Sequence, residues 1–291
     1  MIIDVHSHAW PFPEAFSDDF IRQASGAKAD TTIDISVRYE DYRASAPDET
    51  RTVVFGGKAK LSGVWVDDAY VADYVAKDPD RLLGFLSVDP TQPGWQDELR
   101  HGHETLRLRG VKLLPMYAGF QVCDPILEPL WDYCESRGLP VLMHTGTTFV
   151  KQAPLDCTFP RLVEPVALRH PGIKFILAHL GHPWEGETIA VIRRHPHVYA
   201  DLSALHYRPW QFYQSMRLLV EYRAEHKVLF GSDYPFTTTG NSIDGLRRIN
   251  AILGASGLPP VPPETIEGIL ARDALNLLGL PHPSSLLRAR T

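Results

Sequence analysis

Eight short runs of β-branched and aliphatic residues recur along this chain, and they constrain its fold more than any other feature. Most of them are nearly continuous apolar runs rather than alternating ones, which is typical of parallel strands that are covered on both faces. Their spacing is mostly about 25 to 35 residues, the length of a βα unit. The runs occupy residues 2–6, 52–55, 82–88, 110–114, 140–145, 174–180, 198–202 and 227–231.

The segments between these runs carry helical signals. The clearest helix begins at Asp124, a good N-cap, has Pro125 at its first position and ends at Gly138. Less complete helical patterns cover residues 67–77, 95–106, 161–170, 188–194, 209–225, 243–253 and 263–278. Eight strands alternating with eight helices predict an α/β protein, a (β/α)8 or TIM barrel, in one domain.

We expect this barrel to span residues 1–280, with two additions. Residues 10–51 follow the first strand, are too long for a single helix and carry several aromatic side chains. In a barrel this segment would start on the face that carries the active site, so we interpret it as an active-site cover. Residues 281–291 form a tail or a partner contact, which leaves a homodimer open.

Charge and cysteine usage exclude several partners. The 35 acidic residues outnumber the 29 basic ones, which disfavours a general grip on nucleic acid or anionic lipid. No apolar run approaches the roughly 18 to 20 residues of a membrane span. Cys123, Cys134 and Cys157 form no C-x-x-C pair and suit a reducing compartment, so we expect a cytoplasmic protein that acts on a small molecule.

The chain has 13 histidines, and their positions sort them. His6 and His8 end the first strand, whereas the other two H-x-H pairs, at 101–103 and 195–197, precede strands and belong to the opposite face of a barrel. Residues two apart on a strand point the same way, so His6 and His8 can share one metal ion.

Three more polar residues close apolar strands. His144 ends the fifth strand, His179 ends the sixth, and Asp233 follows the eighth. In a barrel all of these positions meet at the catalytic face. A set of imidazoles with one carboxylate suits Zn²⁺, with Mn²⁺ or Fe²⁺ as alternatives.

In combination and in order, these motifs resemble the amidohydrolase superfamily, and more narrowly its amidohydrolase-related branch, which includes aminocarboxymuconate semialdehyde decarboxylase-like enzymes. The resemblance rests on residues 3–8 (IDVHSH), His144, residues 178–181 (AHLG) and residues 231–235 (GSDYP). It implies a distorted TIM barrel with one divalent metal ion, held by His6, His8, His144 and Asp233. It also implies that His179 lies beside the metal water as an acid/base group and that Asp233 moves a proton.

Two residues depart from the simplest form of this family pattern. Lys112 lies near the end of the fourth strand, where binuclear relatives carry a carboxylated lysine that bridges two metals. If Lys112 were carboxylated, His179 would be a ligand of the second metal. The preferred interpretation is one metal, with Lys112 binding a substrate anion or packing structurally. Asp273 stands in an Arg-Asp-Ala sequence where relatives often show Asn-Ala, which alters helix capping.

The same site residues fit two reactions. The sequence favours, by a small margin, a hydrolase that uses a metal-activated water to cleave an amide, lactone or ester; the alternative is a metal-dependent decarboxylase of a small aromatic or unsaturated acid. A non-catalytic barrel that acts as a binding module is a third and weaker hypothesis. Further candidates for contact with a carboxylate-bearing substrate are Trp10, Tyr117, His206 and Arg208.

Overall fold

Eight parallel strands form a nearly closed barrel in the computed structural model, which describes residues 1–27 and 32–283. Part of the expected cover (28–31) and most of the expected tail (284–291) lie outside the described residues. Each strand pairs with the next along the chain, and the Val5 amide donates to Phe230 O at 3.0 Å across the seam between the first and last strands. The predicted TIM barrel is confirmed. Its strands are β1 (Ile2–His8), β2 (Thr50–Phe55), β3 (Leu82–Ser87), β4 (Val111–Leu113), β5 (Val141–Met143), β6 (Phe175–Leu177), β7 (Val198–Asp201) and β8 (Val228–Leu229).

Helices follow the strands and cover the outside of the barrel. None of the helices within residues 1–27 and 32–283 combines the length and apolar character needed to cross a membrane. A short antiparallel hairpin, Lys58–Ala59 with Val64–Trp65, follows β2. The α-helices are α1 (Asp18–Ser25), α2 (Tyr39–Ser45), α3 (Asp68–Ala76), α4 (Trp95–Arg100), α5 (Pro115–Ala118), α6 (Glu128–Arg137), α7 (Glu164–Arg169), α8 (Glu185–Arg194), α9 (Pro209–Glu221), α10 (Thr239–Arg247), α11 (Pro263–Leu270) and α12 (Ala274–Leu278).

Capping residues explain why one observed helix matches its predicted bounds and another does not. The Asp124 side chain accepts from the Ile126 amide, a 3-10 turn leads into α6, and Gly138 ends that helix at φ 65°. The prediction of a single helix over 263–278 was wrong. Asp273 accepts from the Asn276 amide and starts α12 afresh, so α11 and α12 are separate helices.

Strand residues divide between two apolar clusters. In β5, Leu142 packs inside the barrel, whereas Val141 and Met143 pack between the strands and the helices. The interior cluster also takes in Leu275 and Leu278 of α12. Both faces of the strands are therefore buried, which is why the strands read as continuous apolar runs.

A bulge in β1 aims both of its histidines into the barrel. Asp4 pairs with Thr52 and Ser7 with Val54, so the register shifts by one residue between these two pairs. Val5 packs in the interior cluster, and His6, the next residue along, also lines the interior cavity. Bulges commonly re-aim side chains beside active sites in this way.

His170 links α6 to the segment that enters β6. Its Nε2 lies 2.9 Å from Glu128 Oε2 and its Nδ1 lies 3.1 Å from Glu135 Oε2. Burial alone would lower the pKa of His170, but the two carboxylates outweigh it and raise the pKa above its usual value. Both ring nitrogens can donate only when the imidazole is protonated.

We predict that truncating the barrel interior destabilises the fold. Leu142 is 0% exposed, so Leu142→Ala should lower the free energy of unfolding by about 2–5 kcal/mol. Leu168 on α7 is 65% exposed, and Leu168→Ala should change it by less than about 0.5 kcal/mol. Denaturant titration measures both values, and equal losses would contradict the assignment of Leu142 to a packed interior.

We predict that the His170 contacts stabilise the protein only at low pH. A raised pKa in the folded state gives a contribution that is fully present below the unfolded value of about 6.5 and is lost as pH rises through the folded value. Thermal melts of the wild type and of His170→Gln should therefore differ more at about pH 5.5 than at about pH 8.5. A difference that is larger at the higher pH would show that His170 acts as a neutral ring.

Candidate metal centre

A cavity of about 220 Å³ opens at the carboxyl ends of the barrel strands. Its floor carries the polar residues that close the strands, and its walls are mainly aromatic. Cavities of this kind, apolar with a few convergent polar groups, are the usual form of small-molecule sites. Residues on its surface include His6, His8, Lys112, His144, His179 and Asp233 on the floor and Trp10, Phe16, Phe20, Tyr117, Phe149 and Phe236 in the walls.

The segment after β1 supplies part of these walls. The centre of the Trp10 ring lies 4.3 Å from the centre of the His8 ring, and the indole Nε1 donates to Ile35 O at 2.8 Å. The rings of Phe16 and Phe20 stack with their centres 5.0 Å apart. Residues 32–51, the later described part of the segment, do not line the cavity; Tyr39 of α2, for example, donates to Asp78 at 2.9 Å.

Three buried side chains bring metal-binding atoms together. One such atom each from His6, His179 and Asp233 lies within 4.8 Å of the others. His8 and His144 stand outside this compact group but contact it: His8 Nε2 is 3.1 Å from Asp233 Oδ1, and His144 Nδ1 is 3.2 Å from His179 Nε2. All five strand-end residues therefore meet in one place.

Two ring nitrogens without a hydrogen-bond partner fit the binding of a cation at this site. His8 Nδ1 and His144 Nε2 are buried and have no hydrogen-bond partner among the described residues. Buried polar atoms are rarely left in this state unless something else binds there. Imidazole nitrogens and a carboxylate are the donor set that Zn²⁺ and similar divalent ions prefer.

The protonation states also fit a cation. Burial lowers the pKa of His179 to about 3, so this ring is neutral at physiological pH. Burial alone would raise the pKa of Asp233, but the rings of His179, His6 and His8 outweigh it and hold the pKa well below its ordinary value. Metal ions bind neutral imidazole and ionised carboxylate, and His179 and Asp233 are present in these forms.

Asp201 and Ser203 contact the Nδ1 atoms of His6 and His179, and the sequence analysis missed both residues. Asp201 ends β7, and its Oδ2 lies 2.9 Å from His6 Nδ1. The Ser203 hydroxyl lies 2.8 Å from His179 Nδ1. A usable signal was present, because Asp201 is a polar residue closing an apolar strand, the criterion that selected His144 and His179.

Lys112 is buried beside the metal-binding atoms. Its Nζ lies 3.5 Å from His6 Nε2 and 4.3 Å from the centre of the Phe55 ring. Burial lowers the pKa of this amine to about 7. A substrate anion in the cavity would therefore meet a cation or a hydrogen-bond donor at this point.

Arg208 and Tyr117 also line the cavity, whereas His206 does not. The expectation of substrate contact for His206 is corrected by its hydrogen bond: Nε2 donates to Gly231 O at 2.9 Å, and the ring packs against Phe212 instead. His182, two residues beyond the sixth predicted strand, lines the cavity.

Backbone strain is concentrated at the same place. His179 and Asp233 adopt left-handed conformations, with φ 60° and 68°. Such conformations cost about 1–3 kcal/mol for residues other than glycine, and they cluster at functional sites. The Asp233 amide donates to His6 O at 2.8 Å, so the hydrogen bond that closes the barrel also holds this residue in place.

Among solved structures, the chain is similar to other TIM barrels. It matches an uncharacterized TIM-barrel protein from Bordetella bronchiseptica with TM-score 0.69 and 22% identity, covering 96% of this chain and 98% of the other. It matches a probable 2-pyrone-4,6-dicarboxylic acid hydrolase from Acinetobacter baumannii with TM-score 0.64 and 16% identity, covering 96% and 99%. A dihydroxybenzoic acid decarboxylase from Polaromonas sp. JS666, solved with manganese and 2-nitroresorcinol bound, gives TM-score 0.61 and 14% identity, covering 96% of each chain. At these identities the likeness shows the fold.

Sequence comparisons define the family. A curated relative, 2-amino-3-carboxymuconate-6-semialdehyde decarboxylase from Dictyostelium discoideum, is 24% identical over 245 residues, which are 72% of this chain. The match spans 65% of the length of that relative. A sequence model of the amidohydrolase family matches residues 3–280, nearly the whole chain. This protein therefore belongs to the amidohydrolase family.

Proposed function

We propose that this protein is a metal-dependent decarboxylase of a small aromatic or unsaturated carboxylic acid. The observation that carries this proposal is the composition of the cavity: an imidazole and carboxylate centre lies at its floor, cations line it and aromatic rings wall it. Aromatic walls suit a flat, unsaturated substrate, and a site with little water strengthens every charge contact in it.

A divalent ion would be held by His6, His8, His144 and Asp233, with His179 beside it. When bound, such an ion supplies a Lewis acid that polarises a substrate oxygen. Zn²⁺ is our first choice because three imidazoles and one carboxylate form a borderline-soft site, and Mn²⁺ is the alternative. The unpartnered His8 Nδ1 and His144 Nε2, both buried, support this assignment.

The chain's own residues bind the acid and supply the proton. Lys112 and Arg208 are the cations that would bind carboxylate groups, and Trp10 and Tyr117 would lie along the ring of the substrate. In the reaction the bond between the carboxyl group and its carbon breaks, CO₂ leaves, and the electron pair left on that carbon takes up one proton. Asp233, which is ionised at rest, and His179 beside it would take up a proton from a water molecule and pass it to this carbon.

Hydrolysis, which the sequence favoured by a small margin, is the second candidate. The residues that move a proton to carbon are equally placed to take one from a water molecule and pass it to a leaving group. The similarity to a probable pyrone dicarboxylic acid hydrolase supports this alternative. The aromatic walls and the decarboxylases among the relatives lead us to place decarboxylation first.

Two further proposals concern the surroundings of the site. We propose that the segment after β1 acts as a cover, because Trp10, Phe16, Phe20 and Ala27 all line the cavity. We also propose a cytoplasmic location, since Cys123, Cys134 and Cys157 are free thiols.

We predict that metal binding depends on His144 and not on a surface histidine. His144→Ala removes a buried ligand and should weaken Zn²⁺ or Mn²⁺ binding by at least about 100-fold, since loss of an outer-shell partner alone typically costs 10–100-fold. His197→Ala, at an exposed position in another H-x-H pair, is the matched control and should bind like the wild type. Competition with a chromophoric chelator measures both, and equal affinities in the three proteins would remove His144 from the ligand set.

We predict CO₂ release from a panel of unsaturated acids. The metal-loaded wild type should release labelled CO₂ from at least one of 2,6-dihydroxybenzoate, 5-carboxyvanillate and 2-amino-3-carboxymuconate-6-semialdehyde. Asp233→Asn should slow this by at least about 100-fold, the lower range for a positioned acid or base.

The hydrolysis arm of this experiment uses 2-pyrone-4,6-dicarboxylate and simple lactones, with acid release as the readout. Acid release without CO₂ from any substrate would overturn decarboxylation in favour of hydrolysis. CO₂ release that Asp233→Asn leaves unchanged would remove Asp233 from the mechanism.

A further inference from the structure

The Asp201 carboxylate is fully buried, and only one of its two oxygens faces His6. Its Oδ2 lies 2.9 Å from His6 Nδ1. Its other oxygen, Oδ1, accepts from the backbone amides of His179 and Ser203, each at 3.0 Å, and from the Ser203 hydroxyl. Because a carboxylate can only accept here, His6 must carry its proton on Nδ1.

The Ser203 hydroxyl extends this arrangement to the second histidine. Since it donates to Asp201, its lone pairs face His6 Nδ1 at 3.0 Å and His179 Nδ1 at 2.8 Å. His179 Nδ1 also lies 3.3 Å from the Ser203 carbonyl oxygen, a second acceptor. Both partners of His179 Nδ1 therefore favour a proton on that nitrogen.

A neutral ring with its proton on Nδ1 presents an unprotonated Nε2. At His6 the Lys112 amine, a donor 3.5 Å from Nε2, favours this form. His6 Nε2 lies 3.3 Å from Asp233 Oδ1, and His179 Nε2 lies 3.2 Å from His144 Nδ1. Both nitrogens thus point to the place where the metal-binding atoms converge.

We propose that Asp201 and Ser203 are positioning residues that fix the tautomers of His6 and His179, so that both Nε2 atoms are free to bind the metal ion or to move a proton. The part that concerns the metal rests on the proposed function. The tautomers themselves are a property of the metal-free chain and can be measured in it.

Asp201→Asn tests this arrangement with little change of shape. The three donors that converge on Oδ1 fix the orientation of the new amide, with its oxygen toward them and its NH₂ toward His6 Nδ1. Two donors would then face each other unless His6 moves its proton to Nε2. That shift would put a proton on the nitrogen that faces the metal site.

The experiment records ¹⁵N spectra of the histidine side chains in the metal-free protein and Zn²⁺ affinity by chelator competition. We expect the wild type to show both His6 and His179 with the proton on Nδ1, Asp201→Asn to show His6 with the proton on Nε2, and affinity to fall by about 10–100-fold. His6 retaining its wild-type spectrum in Asp201→Asn, or unchanged Zn²⁺ affinity there, would overturn the proposal.

A control and a second variant guard against a purely structural effect. Asp68 is another buried carboxylate, whose partners are Lys58 Nζ at 2.9 Å and the Ser87 amide at 2.8 Å rather than a histidine, so Asp68→Asn should lower the melting temperature without changing the His6 spectrum or the Zn²⁺ affinity. If Asp201→Asn fails to fold, Ser203→Ala replaces it: we expect mixed tautomers at His179, and an unchanged His179 spectrum would overturn the proposal.

The proposed function and the positioning role of Asp201 can fail separately. A wild type that binds no Zn²⁺ and transforms no acid, yet shows the expected tautomers and their shift in Asp201→Asn, would refute the proposed function and leave the positioning role of Asp201 intact. A wild type that binds Zn²⁺ and releases CO₂, with an unchanged His6 spectrum in Asp201→Asn, would do the reverse.

Discussion

The seam between β1 and β8 is the constraint on which the site depends. The His8 amide donates to Tyr234 O at 2.9 Å, and the Asp233 amide donates to His6 O at 2.8 Å. These backbone bonds join the first strand of the barrel to the residues that follow the last strand and bring residues 225 or more positions apart into contact. Without this closure, the H-x-H pair and Asp233 would lie at opposite edges of an open sheet.

Two buried carboxyl groups, Asp4 and Asp201, also support the site. Asp4 is fully buried beneath the seam, where it accepts from the Ser232 amide at 2.9 Å and from the Thr239 hydroxyl at 2.9 Å. Burial raises the pKa of Asp4 to about 6, although those hydrogen bonds oppose the shift. Asp201 differs, since His6 and His179 outweigh its burial and hold its pKa below the ordinary value. Buried carboxylates of this kind are stable only where each oxygen has partners, and for Asp201 these partners belong to the site.

Most of the fold could be predicted from the sequence, because apolar runs and helix caps are local signals. The eight strands follow from their composition, and Asp124 and Gly138 mark the ends of one helix. The break at Asp273 was missed because its capping role depends on a turn that periodicity does not report.

The candidate site could be predicted only in part. His6, His8, His144, His179 and Asp233 were found because chain position at a strand end determines which face of a barrel a residue reaches. Asp201 was overlooked although it closes an apolar strand in the same way, and Ser203 was not found because its importance lies in its hydrogen bond to a ring on another strand. His206 was misplaced for a similar reason: it follows a strand in sequence, but its ring bonds to Gly231 O, away from the cavity.

The central claim is that the strand-end histidines and Asp233 form one metal centre. A crystal structure of the protein grown with Mn²⁺ or Zn²⁺, with anomalous data collected at the edge of that metal, tests it most directly. We expect one strong anomalous peak on the floor of the cavity, at about 2.0–2.2 Å from imidazole nitrogens and from an Asp233 oxygen. A peak elsewhere, or none at metal concentrations that saturate the protein in solution, would contradict it.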